Sequence, residues 1–173
     1  MPSPQRIDRI DRIDARILLA MIRSPRATVI ALAERTGLAR NTVHARLARL
    51  DTSALRSFER RIDPAALGYR LQAYILTNVT QRKLAEVSTA LAEVPEVLEV
   101  SGLSGVADLM IHIVARDADD LYRVAGKILD IRGVKRTNTA LVMRELVDYR
   151  IHPLLAAIDA EAGDAATPAQ AQA

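Results

Sequence analysis

The chain has 173 residues, half of them apolar and about a quarter charged, with a formal net charge of +3; that suffices for one large domain or two small ones and argues against disorder over most of its length. Cysteine is absent and the three histidines, His44, His112 and His152, are far apart in sequence, which excludes disulfides and thiolate metal sites and argues against a zinc site or a histidine-based catalytic cluster. No apolar run reaches membrane-spanning length, so the expectation is a cytoplasmic protein whose work is binding, with no catalytic residues, no metal and no cofactor. The charge is unevenly placed. Residues 1–61 hold thirteen arginines, no lysine and six acids, a balance of +7, whereas the remainder holds eleven basic and fifteen acidic residues, a balance of −4. A basic half joined to an acidic half suggests a polyanion-binding module attached to something else.

In chain order, Ile7, Ile10, Ile13, Ile17 and Ile22 recur at spacings that predict an amphipathic helix over 7–22, ended by Ser24-Pro25. Thr28 offers an N-cap for a second helix to about Arg35, and Gly37 the permissive backbone that closes it. A third helix is expected from about Arg40 to Leu50. Asp63-Pro64 and Gly68 mark a hinge over 63–68. Beyond it the period changes to that of strands at 69–79, 107–115 and 137–147, with a shorter one at 97–103 and helices at 82–93 and 118–131. The order strand–helix–strand–strand–helix–strand is the ferredoxin-like arrangement, with both helices on one sheet face and the other face left bare for a second copy. The expected organisation is therefore α+β: a helix-turn-helix domain over 1–62, the hinge, a ferredoxin-like domain over 69–152, and a tail over 153–173 that its composition marks as disordered from about 160.

Segment 28–50 has the spacing of a helix-turn-helix, with small Ala33 at the helix crossing, Gly37 in the turn, and Val43, Leu47 and Leu50 facing inward. At about 100° per residue the opposite face of the third helix shows Asn41, Ala45 and Ala48, flanked by Thr42, His44 and Arg49, with Arg40 and Arg46 at the edges of the apolar seam. Asn and Arg there match adenine and guanine edges in a major groove, and the alanines permit close approach. A three-helix packing unit whose Ala and Gly serve packing alone is the bland alternative. Ala39, at the start of the third helix, cannot cap it. The stretch 51–61 has no glycine to turn a wing.

The chain resembles the Lrp/AsnC (feast/famine) family of transcription regulators from about Ile10 to Leu146. The resemblance rests on Asp11-x-x-Asp14-x-x-Ile17-Leu18, Arg26-x-Thr28 before Leu32-Ala33, Arg46-Leu47-x-x-Leu50, Asp63-Pro64-x-x-Leu67-Gly68, Val94-Pro95-Glu96-Val97, Gly105-x-x-Asp108 and Gly133-Val134-x-x-Thr137-x-Thr139. It implies a sequence-specific regulator of transcription that binds double-stranded DNA, pairs a winged helix with an effector domain, responds to amino acids, and forms homodimers that often assemble into octamers. DNA-binding residues would then be Arg26, Thr28, Arg40, Asn41, Thr42, His44, Arg46 and Arg49. An effector site would draw on Gly102, Leu103, Ser104, Gly105, Asp108, Thr137 and Thr139: backbone amides for a carboxylate, Asp108 for an ammonium group, hydroxyls from the threonines. The same loop also reads as a tight turn between strands. Two rivals stand beside this reading: a tetrapyrrole decarboxylase-like enzyme of the same architecture, and an effector-binding partner protein whose DNA module has decayed. His112, alternating with Met110 and Val114, reads as a packed or interface histidine.

Overall fold

The computed structural model describes residues 9–164. Its chain divides into two compact units, one made of the segment up to Ser57 together with the segment from Asp148, the other of Phe58–Val147.

In the first unit α1 spans Arg12–Arg23, α2 Val29–Thr36 and α3 Arg40–Ser53. The first helix starts later than the isoleucine spacing predicts, because Asp11 is its N-cap: Asp11 Oδ1 accepts from the Asp14 amide at 2.9 Å and Asp14 Oδ2 accepts from the Asp11 amide at 3.1 Å, a capping box. Ile7 lies outside the described residues. Thr28 caps α2 by accepting from the Ala31 amide at 3.3 Å, and Gly37 closes it at φ 68°, a left-handed turn that a side chain would strain. Ile17, Leu32, Ala33 and Val43 form the core of the unit, with Ile13, Met21 and Leu47 packed around them.

A sixth helix, α6 (His152–Asp164), completes this unit. That corrects the expectation of a tail over 153–173, disordered from about 160, up to Asp164; residues 165–173 lie outside the described residues. It packs along α1, with Leu155 buried and Asp159 facing the Nε atoms of Arg12 and Arg16 at 3.5 and 3.6 Å. The reason is legible on α1, where Ala15 and Leu19 form a second apolar stripe beside Arg12 and Arg16, away from the core-facing stripe. The wing expected over 51–61 is also corrected. Among the described residues no strand precedes Leu71; α3 runs on to Ser53, and two 3-10 turns, Phe58–Arg61 and Pro64–Leu67, follow.

The second unit is a four-stranded sheet, β1 (Leu71–Val79), β2 (Val97–Gly102), β3 (Leu109–Ala115) and β4 (Val134–Leu141), with α4 (Leu84–Ala92) after β1 and α5 (Ala118–Leu129) after β3. The strand order is β2-β3-β1-β4, and every neighbouring pair is antiparallel, the ferredoxin-like arrangement the element order predicts. Alternation sends Ala73, Ile75, Val79, Ile111 and Ile113 to one face, where Val87 and Leu91 of α4 and Val124 and Ile128 of α5 close over them. The fourth strand is shorter and earlier than the 137–147 read from alternation. It begins just after Gly133 and ends where β1 runs out, its last bond being Val142 N–H to the Gln72 carbonyl at 2.9 Å. Gly133 sits at φ 115° with its Cα 's missing substituent aimed at Val87: a Cβ there would lie 2.9 Å from Val87 Cγ2. No helix among the described residues is long and apolar enough to cross a membrane.

Candidate nucleic-acid interface and effector loop

The solvent face of α3 carries Asn41, His44, Ala45 and Ala48, all exposed, with Thr42 half-buried beside them and Arg40 exposed at the first turn. Arg26 is exposed ahead of α2, and Thr28 is its cap. Ala39 makes no side-chain cap to α3, as its methyl group dictates. The first-turn amides of α3 are thereby left without that side-chain acceptor, which favours an anion there.

Arg46 and Arg49 are placed differently from the expectation. One turn apart on α3, both reach back to the first turn of α1: Arg46 Nη1 donates to Asp14 Oδ1 at 3.1 Å and also pairs with Asp11, while Arg49 Nη2 pairs with the other oxygen of Asp14. Asp14 is fully buried. An unpaired carboxylate there would be strongly disfavoured, so two guanidinium groups and the Asp11 amide share its solvation. Burial pushes the Asp11 carboxyl up, but the Asp14 amide and Arg46 outweigh it and hold it below the usual carboxylate range. Asp11 and Asp14 in turn hold Arg46 and Arg49 more firmly protonated. Sequence reasoning put both arginines at or beside the reading face and did not assign Asp11 and Asp14 to them; the signal available was a pair of acids three apart at the start of a helix in an otherwise arginine-rich segment.

The Gly102–Asp108 loop joins β2 to β3. Gly102, Leu103, Ser104 and Gly105 are exposed, and Gly105 takes φ 126°. Two of the groups expected to hold an amino acid already serve the chain: the Leu103 amide donates to the Asp108 carbonyl at 2.8 Å, and Asp108 Oδ2 accepts from the Val79 amide at 2.9 Å. That amide faces β3 just past the last β1–β3 pair, Thr77 with Leu109, so the carboxylate satisfies a donor the ladder leaves over. Asn78 Nδ2 donates to the Val106 carbonyl at 3.0 Å and ties the loop to the same strand. Thr137 lies opposite Thr77 and Thr139 opposite Ile75, on the far side of β1 from β3. The structure therefore does not bring the threonines against Asp108; two strand spacings, about 10 Å, separate their strands. Between them sits Thr77, fully buried with no hydrogen-bond partner for its hydroxyl. It was missed in the sequence, where it reads as one more β-branched residue of a strand.

The sheet face away from the helices carries Tyr74, Leu76, Met110, His112 and Ala140, by register. The Tyr74 and His112 rings stack at 4.7 Å, and His112 Nε2 lies 3.2 Å from Gln72 Oε1. Burial holds the imidazole below its usual pKa, with Glu99, its cross-strand neighbour, pulling the other way. Glu99 is itself bound by Arg60 at 2.9 Å. Among the described residues no three histidine, aspartate or glutamate side chains are grouped to hold a metal ion.

Comparison with known proteins matches residues 10–51 to the AsnC-type helix-turn-helix domain and residues 72–151 to the Lrp/AsnC ligand binding domain. Helix α6 begins just past the second match. The HTH-type transcriptional regulator FL11 of Pyrococcus horikoshii is 33% identical over 136 residues, covering 78% of this chain and 90% of its own. The regulator AldR of Mycolicibacterium smegmatis is 35% identical over 150 residues, covering 84% and 88%. Among solved structures, E. coli AsnC superposes with a TM-score of 0.72 at 25% identity over 84% of this chain and all of its own. A Neisseria meningitidis regulator, NMB0573, solved as a complex with L-methionine, superposes at 0.71 with 24% identity, over 81% of this chain and 94% of its own.

Proposed function

The chain belongs to the Lrp/AsnC family of DNA-binding transcriptional regulators, and from that premise we propose that it is a cytoplasmic, sequence-specific regulator that docks α3 in the major groove as a homodimer and answers to an amino acid. The observation that carries the reading is the exposed face of α3. Asn41 is a reader of adenine, His44 and Thr42 flank it, and Ala45 and Ala48 let the helix approach the base edges. Arg26, Thr28 and Arg40 stand at the helix starts, where phosphates are bound.

The second copy would cover the open sheet face. Leu76 is 39% exposed there and Tyr74 and His112 are stacked on it, and a bare apolar face of this kind is a docking surface. An amino acid would sit at the Gly102–Asp108 loop, with Asp108 offering its second oxygen and Thr137 and Thr139 set further off on β4. NMB0573, a structural neighbour, was solved with L-methionine, which makes methionine the first ligand to try. Two copies give two reading helices, so a pair of half-sites is expected.

The test is a gel shift of the full-length protein on DNA from its own upstream region, with Asn41→Ala alongside. Binding that Asn41→Ala weakens on the best site by about 1–3 kcal/mol, and less on random duplex, fits base reading. Equal weakening on both, or no complex even at low salt, would sink it. Analytical ultracentrifugation of the same samples, and a thermal-shift screen of the twenty amino acids, check the copy number and the ligand.

A further inference from the structure

We propose that Asp14 withholds Arg46 and Arg49 from DNA, and so acts as a positioning residue that sets how much of the protein's affinity is sequence-independent. The proposal rests on the reading of α3 as the DNA-docking helix and adds what the charges beside its reading face do.

Arginine within reach of a duplex ordinarily finds a phosphate, which adds affinity on every sequence alike. Arg46 and Arg49 are the two arginines of α3 beyond its first turn. Both are turned by Asp14 toward α1, with Asp11 as a further partner for Arg46. The side chains remain 28% and 33% exposed, so they are held at the surface beside the reading face and are not part of the core. The carboxylate is the buried member of the cluster and loses most if the pairs open. The arginines, by contrast, would be solvated well outside it. That asymmetry makes the clamp a property of Asp14 more than of the arginines. It leaves the recognition surface to Asn41, His44, Ala45 and Ala48, which discriminate bases, and removes two cations that do not.

The experiment measures DNA affinity against salt for the full chain and for Asp14→Asn, which keeps the shape and an acceptor oxygen while removing the charge. Each added phosphate contact steepens the dependence of log K on log salt by about 0.9, so between 50 and 200 mM salt it multiplies the loss of affinity by about 3.5. Release of one or both arginines should therefore give Asp14→Asn a random-duplex affinity that falls about 3.5- to 12-fold more than wild type over that range, with tighter binding at the low end and a reduced ratio of best-site to random-site affinity. A merely structural role for Asp14 would weaken binding without steepening the slope. An unchanged or shallower slope overturns the proposal.

Should Asp14→Asn fail to fold by circular dichroism, the triple variant Asp14→Asn/Arg46→Gln/Arg49→Gln, which removes the buried carboxylate together with both arginines and leaves Asp11, half-exposed to water, without Arg46, decides the matter. The proposal requires its salt slope to equal that of wild type, and a slope shallower by about 1–2 would show that the arginines already touch phosphates. If wild type does not bind duplex DNA at all, the DNA-docking reading fails on its own. Asp14→Asn then still judges the clamp, supported by a gain of salt-sensitive binding and overturned by none.

Discussion

Replacing Asp108 separates the work this carboxylate does for the fold from the work proposed for it on a ligand. In the native chain Oδ2 accepts from the Val79 amide at 2.9 Å, and Val79 is 4% exposed. Asp108→Ala leaves that donor without its acceptor just past the end of the β1–β3 ladder. A hydrogen bond to a charged group contributes about 1.5–3 kcal/mol, and an orphaned buried donor costs a similar amount. In a protein of this size 1 kcal/mol moves the melting temperature by about 2–4 °C, so the alanine variant should melt about 3–12 °C below wild type. Asp108→Asn keeps an oxygen for the Val79 amide and should lose less than half as much. It lacks the charge an ammonium group needs, so any stabilisation by an amino acid should vanish in the asparagine variant although the fold survives. The assay is thermal unfolding followed by near-ultraviolet circular dichroism, where Tyr74 stacked on His112 reports the sheet, with and without ligand. An alanine variant that melts within a degree of wild type would refute the structural role. An asparagine variant that an amino acid stabilises as much as it does wild type would refute the ammonium site.

Gly133→Ala should destabilise the sheet unit by about 1–3 kcal/mol, since it forces a side chain into positive φ and into Val87; urea unfolding measures it, and a change under 0.5 kcal/mol would contradict the geometry. Because burial lowers the His112 pKa, the unfolded chain takes up its proton first as pH falls below about 6.5, so stability should be full above that pH and decline below it. His112→Asn should flatten that part of the pH profile, and a profile unchanged by the substitution would assign the decline elsewhere. Leu155→Ala should cost about 2–4 kcal/mol in the helical unit by opening the α1–α6 contact; melting indistinguishable from wild type would mean that α6 adds nothing to α1.

The helix-turn-helix was legible because its signals are local: Thr28, Gly37 and the inward spacing of Val43, Leu47 and Leu50 each act within one or two turns. The sheet order followed from the alternation of element types, and the open face from the expectation that both helices share the other. What periodicity could not supply was partnership across the chain. Nothing near Arg46 and Arg49 announces that a carboxylate more than thirty residues upstream will take them, so a helical wheel places them with the DNA readers. Asp108 chemically suits an ammonium group, yet its nearest donor is a backbone amide whose need arises only because the β1–β3 ladder stops short of Val79. The fourth strand was extended to 147 because alternation persists past the point where β1 offers a partner. The last helix was missed because Ala, Gly and Asp dominate its surroundings and its few apolar residues find meaning only against the second stripe of α1. The wing was expected from the family pattern, although a stretch without glycine, 51–61, gives no hairpin turn.

The pairing of α1 with α6 has a consequence for how the chain is threaded. The helical unit is assembled from both arms of the polypeptide, and Phe58–Val147 is spliced between them, so the backbone crosses from one unit to the other twice. Closing α1 onto α6 before the sheet has formed would gather nearly the whole described chain into one loop, with the entropic penalty that long loops carry. Once the sheet is folded, the intervening segment is condensed and that penalty shrinks. The order of assembly is thereby biased: α1–α3 can form early from local contacts, while α6 closes last, after the sheet unit. A nick at either crossing would also leave the two units joined covalently through the other, so limited proteolysis there should cut the chain without releasing the sheet unit.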